Sequence, residues 1–86
     1  MKMDKKIITN QQFYKTSDLG LTTALSLDFP IKTIDRNDPR KVLFVFDQTD
    51  ELDNFVDKYW RSEITVEPER FTNQMKNIKT RIYSGE

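Results

Sequence analysis

The sequence predicts an α+β domain in which a small mixed or antiparallel sheet is covered by two or three helices, with elements in the order βαββαα. Three observations predict it. Residues 42–46 (VLFVF) form a continuous β-branched and aromatic run between polar flanks, short enough for a strand buried on both faces. Leu52, Phe55, Val56 and Tyr59 recur at i, i+3, i+4 and i+7 behind Thr49, whose hydroxyl suits a helix N-cap. Phe71, Met75, Ile78 and Ile82 then recur at spacings of four, three and four, the cleanest helical stripe in the chain.

Residues 1–12 are polar, with Lys2, Lys5 and Lys6, and are expected to form a mobile arm in which Ile7 and Ile8 offer a strand edge. Residues 13–86 form the single compact domain. A short strand over 13–16 leads into a helix capped by Thr16 or Ser17, with Asp18 in its first positions. Leu21, Ala24, Leu25 and Phe29 give that helix an apolar face, and Leu19 and Leu27 lie off it, so burial on more than one side is expected. Gly20 weakens the helix by about 1 kcal/mol relative to Ala, or permits close packing there.

Phe29-Pro30 ends the helix, because the residue before proline is pushed out of the α region. Residues 31–35 form the second strand. The turn-rich DRNDPR that begins at Asp35 then makes a hairpin with 41–46, its register left open. The next helix runs from Asp50 to Trp60 or Arg61, with Asp50 and Glu51 matched to the helix dipole. Residues 64–66 are short and extended. Pro68 suits the first turn of the last helix, where its missing N–H is not needed, and Gly85 suits its end. The expected core joins Phe44, Phe46, Phe55, Val56, Phe71, Met75 and Ile78.

Composition excludes many functions. At 86 residues, with 33% charged and 12% aromatic residues, the chain fits one folded domain of modest core. Fourteen basic and fourteen acidic residues cancel, so global charge lends no support to a general nucleic-acid binder. The absence of cysteine removes disulfides, zinc fingers and thiol nucleophiles, and the absence of histidine removes the common triads and imidazole ligands. Two glycines cannot build a P-loop, a dinucleotide fingerprint or a nucleophile elbow. A non-enzymatic protein with no cofactor, metal or small-molecule substrate is expected. No apolar run reaches membrane-spanning length and the N-terminus lacks a secretory h-region, so a cytoplasmic protein without a membrane partner is expected.

The segments FYKTSDLGLTTAL, DPRKVLFVF, DKYW and FTNQMKNIKTRIY, spread over residues 13–83, together resemble a small domain of unknown function found in bacterial and phage proteins. The pattern is one of core and turn residues. One departure is the turn Asp28-Phe29-Pro30, where a glycine before the phenylalanine would be expected. The resemblance implies a fold and a bacterial or mobile-element setting, and it carries over no site residues.

Two charged helices supply the candidate sites. Between Asp47 and Lys58, five acidic residues face one basic residue, a net of −4, and Asp50, Asp53 and Asp57 share one helical face. The ordinary reading is a solvated face; the functional one is a docking face for a basic partner, with Trp60 as a partly exposed anchor. From Glu69 to Tyr83 the net is +3: Lys76 and Lys79 flank one side of the apolar stripe, and Arg70 and Arg81 the other. Asn73, Gln74 and Asn77 complete that helix's outer face, a plausible nucleic-acid surface, although long basic stems also rim ordinary packed helices. The turn between Lys32 and Lys41 is weakly basic and could add phosphate contacts.

The expectation is therefore an accessory or inhibitor-like binding protein that docks on a protein partner in a nucleic-acid-handling assembly through Asp50, Asp53, Asp57 and Trp60. The alternative is direct DNA or RNA binding through Arg70, Lys76, Lys79 and Arg81.

Overall fold

A computed structural model describes residues 12–84. The elements are β1 (Phe13–Thr16), α1 (Leu19–Asp28), β2 (Thr33–Asp35), β3 (Leu43–Asp47), α2 (Asp50–Trp60) and α3 (Pro68–Ser84), in the expected order βαββαα. The arm expected over 1–12 lies outside the described residues except for Gln12, whose carbonyl accepts the Gln48 amide at 3.0 Å. The terminating role expected of Gly85 also lies outside them.

The sheet has the order β1-β3-β2 and is antiparallel throughout. Tyr14 pairs with Phe46 and Ile34 with Phe44, so these four share the face turned to the helices. Lys15 and Thr33 flank Val45 on the opposite face. Val45 is nonetheless only 4% exposed. Lys15 pairs with Asp35 at 3.4 Å and Lys32 with Asp47 at 3.5 Å, and the Lys32 ammonium lies 5.9 Å from the Phe13 ring centroid. Long stems laid over the central strand thus bury it on its outer side, as amphipathic side chains do. β2 begins at Thr33 rather than Ile31, because Pro30 has no N–H and Ile31 packs into the core; Lys32 still donates to the Val45 carbonyl at 2.7 Å. β3 extends one residue past the expected run to Asp47, which pairs with Phe13.

α1 is capped by Asp18, not by Thr16 or Ser17. The Asp18 carboxylate accepts the Leu21 amide at 2.9 Å, and the Thr16 hydroxyl accepts the Asp18 amide at 3.1 Å. The helix ends at Phe29, as the following proline requires, with the Phe29 amide on the Leu25 carbonyl at 2.7 Å. Five consecutive residues, Leu21 to Leu25, are buried. α1 has no solvent side at its centre because the sheet, α2 and α3 all pack around it.

The fully buried cluster is Leu21, Leu25, Phe44, Phe46, Leu52 and Ile78. Phe55 and Val56 pack against it half-buried, and the Phe55 ring meets Phe29 edge-on at 5.8 Å. Phe71 and Met75 correct the expected core. Both are half-buried and stand outside the cluster, because the first half of α3 packs along the last turn of α1, where Arg70 reaches Leu27 and Gln74 reaches Ser26.

Thr49 caps α2, accepting the Leu52 amide at 3.1 Å. At the other end Ser62 takes a left-handed φ of 60°, its amide reaching the Tyr59 carbonyl while the Glu63 amide reaches that of Lys58. This is a Schellman closure with serine where glycine is usual. α3 restarts at Pro68 under a Glu67 cap, whose carboxylate accepts the amides of Glu69 and Arg70 at 3.0 and 2.8 Å.

Candidate docking surface

Helical phase alone places Asp50, Asp53, Asp57 and Trp60 together: at about 100° per residue they fall within an arc of about 80° on α2. All four are exposed. Asp53 accepts the Gln48 side-chain amide at 3.0 Å, which fixes the start of the face. Burial, reinforced by the charges of Asp18 and Asp53, raises the Tyr14 hydroxyl above its ordinary value; burial and Asp18 do the same to Tyr59. Both phenols therefore stay uncharged near neutral pH and add no charge to this edge.

Trp60 is 60% exposed, its ring standing edge-on to Tyr59 at 5.0 Å and 89°. Its flank opens on a groove of about 430 Å³ lined by Ala24, Tyr59, Trp60, Ser62, Ile64, Val66 and Phe71, in which polar and apolar surface are mixed. Local sequence builds that groove. The left-handed turn at Ser62 leads the chain out of α2, residues 63–67 belong to no helix or strand, and Pro68 starts the helix that brings Phe71 to the same groove as Trp60. Ile64, Val66 and Phe71 were not expected at a site. Their signal was the alternation Ile-Thr-Val before Pro68, together with a helical stripe whose first member precedes the core.

The basic candidates do not form one surface. Arg70 donates to the Leu27 carbonyl at 3.2 Å and thereby serves the last turn of α1. Arg81 is half-buried. Its carbonyl and that of Ile82 accept the Arg36 guanidinium at 2.7 and 3.3 Å, which ties the hairpin turn to the end of α3. Lys76 and Lys79 remain exposed. Gln74 does not complete the outer face, because it donates to the Ser26 hydroxyl at 2.8 Å inside the α1–α3 contact. The basic turn is likewise engaged through Lys32 and Arg36, leaving Arg40 and Lys41 exposed.

Among the described residues, no three His, Cys, Asp or Glu side chains gather to hold a metal ion, and no helix is long and apolar enough to cross a membrane. A family described as a domain of unknown function, DUF5659, matches residues 11–84. The chain belongs to the DUF5659 family. The four segments that resemble a domain of unknown function all fall inside the matched span, and the match says nothing of bacterial or phage origin. No curated protein and no solved structure matches this DUF5659 chain.

Proposed function

We propose that this DUF5659 domain is a non-enzymatic accessory or inhibitor-like factor that docks on a basic protein surface within a nucleic-acid-handling assembly. The observation that carries the reading is an exposed Trp60 at the rim of a groove, on the same helical face as Asp50, Asp53 and Asp57. The carboxylates steer a basic partner, and the indole supplies the desolvated anchor that protein interfaces depend on. The lack of any histidine or cysteine supports a binding role over a catalytic one. A cytoplasmic, bacterial or phage setting belongs to the same proposal.

The test is comparative capture from a host lysate, read by mass spectrometry. Wild type is expected to retain a defined protein that the triple variant Asp53→Lys, Asp57→Lys, Trp60→Ala loses while still folding. Equal capture by both would reduce this face to solvated surface.

Direct nucleic-acid binding is the second reading, favoured only by the exposure of Lys76 and Lys79. It expects salt-sensitive binding that Lys76→Glu with Lys79→Glu abolishes. With Arg70 and Arg36 committed to helix ends, those two lysines offer fewer phosphate contacts than the sequence suggests.

A further inference from the structure

A second cavity, of about 380 Å³, opens between the turn that joins β2 to β3, the start of α1 and the last turn of α3. It shares no lining residue with the groove beside Trp60. Its surface is mainly apolar: buried Phe44 lies at its base, and half-buried Leu19, Val42 and Ile82 line it together with Pro39. Its polar residues are Ser17, Arg40 and Lys41, all exposed. The turn that carries the two cations is held by its own hydrogen bonds. The Asp38 carboxylate accepts the Arg40 amide at 2.8 Å, and the Asp38 carbonyl accepts the Lys41 amide at 3.2 Å. The cationic groups themselves are uncommitted: among the described residues, neither the Arg40 guanidinium nor the Lys41 ammonium has a hydrogen-bond or ion-pair partner. On the outer face of the sheet, by contrast, Lys15 and Lys32 already face Asp35 and Asp47, and Arg36 is spent on the carbonyls that end α3.

We propose that this cavity binds a small organic carboxylate with an aliphatic body. Arg40 and Lys41 take the carboxylate at the rim, and the body displaces water from Leu19, Val42, Phe44 and Ile82. The planar guanidinium fork matches a carboxylate, and a mainly apolar cavity with a few polar groups at this volume is the ordinary form of a site for a small ligand. Charge limits the ligand to a single negative group. Asp18 and Asp38 adjoin lining residues in the chain, and their carboxylates, engaged by the amides of Leu21 and Arg40, keep their charge there. One anion is matched by the two free cations, whereas a phosphate dianion would also meet these two acids. The site is independent of the docking face on α2.

The probe is octanoate, titrated into the isotope-labelled full chain and followed by NMR. Saturable shifts are expected at the methyl groups of Leu19, Val42 and Ile82. From butanoate to hexanoate, each added methylene should tighten binding about fourfold. Octanol, with the same body and no charge, should bind about tenfold more weakly, the loss of charge-assisted hydrogen bonds. Arg40→Gln with Lys41→Gln should weaken octanoate by about the same factor and leave octanol unchanged. Octanoate and octanol binding wild type alike would overturn the proposal, whether or not the double variant folds. So would shifts that do not saturate, or that centre on Lys76 and Lys79. Octyl phosphate binding more tightly than octanoate would overturn the assignment to a carboxylate.

Discussion

A Cβ placed on Gly20 would stand 2.6 Å from the hydroxyl oxygen of Tyr59, so the Tyr59 phenol reaches α1 as closely as it does only because residue 20 has no side chain. The next groups are at ordinary contact distance, the Asp18 carboxylate at 3.5 Å and the ring carbon bearing the hydroxyl at 3.9 Å. The phenol oxygen alone therefore forbids a methyl group. Gly20→Ala gains about 1 kcal/mol of helix propensity but must displace Tyr59, which is packed on the core and against Trp60, so it is expected to destabilise by roughly 1 kcal/mol. In a Tyr59→Phe background the same change is expected to stabilise by about 1 kcal/mol. Urea denaturation of the four proteins in the cycle measures this coupling; additive effects would refute it.

Thr22 is fully buried, and its hydroxyl has no hydrogen-bond partner among the described residues. A buried unpaired hydroxyl carries its desolvation cost with no compensating bond, and valine keeps the same branched shape. Thr22→Val is expected to raise stability by about 1 kcal/mol. Thr23→Val should not, because the Thr23 hydroxyl bonds the Leu19 carbonyl at 2.8 Å. Thermal melts of the pair decide between them.

Ser62 holds a left-handed conformation at the end of α2, which costs a side-chain-bearing residue roughly 1 kcal/mol. Ser62→Gly relieves that cost and is expected to be neutral to stabilising by up to about 1 kcal/mol. Ser62→Val should destabilise, since a β-branched residue resists this φ most strongly. The difference in denaturation midpoint between the two variants checks the assignment.

Core truncations should rank by burial rather than by side-chain size. Leu52 is fully buried and Phe55 only half-buried, so Leu52→Ala is expected to cost about 2–5 kcal/mol. Phe55→Ala should cost less, despite its larger ring. The reverse order in equilibrium unfolding would contradict the placement of α2.

Hydrogen bonds from the amides of Glu69 and Arg70 hold the Glu67 carboxyl below its ordinary value. With the folded value below the unfolded one, the contribution is complete above the ordinary Glu range, near about pH 4.3, and is lost as pH falls through the lowered folded value. Glu67→Ala should therefore be less stable than wild type near neutrality, with a gap that narrows as acid is added. Urea midpoints followed from about pH 7 to about pH 3 test this; a gap that does not change with pH would deny the carboxylate its capping role.

Local chemistry determined the elements of this protein. The run ending at Phe46, the Thr49 cap and the stripes of α2 and α3 each depend on neighbours within a turn or a strand length, so spacing alone places Asp50, Asp53, Asp57 and Trp60 on one face. Tertiary structure decided what covers each element, and periodicity records only which side is apolar. Phe71 and Met75 sit on a good stripe yet miss the core because that half of α3 packs on the last turn of α1, whereas the flanking stems of Lys15 and Lys32 cover Val45. Long-range partners were equally invisible. Arg70 and Arg36 could be read as a nucleic-acid surface until the free carbonyls at the ends of α1 and α3 claimed them, because a helix end with unpaired acceptors attracts whichever cation the fold brings within reach. The groove beside Trp60 is of the same kind: its walls come from α1, α2, the connection after it and α3, and only their assembly sets an exposed indole at its rim.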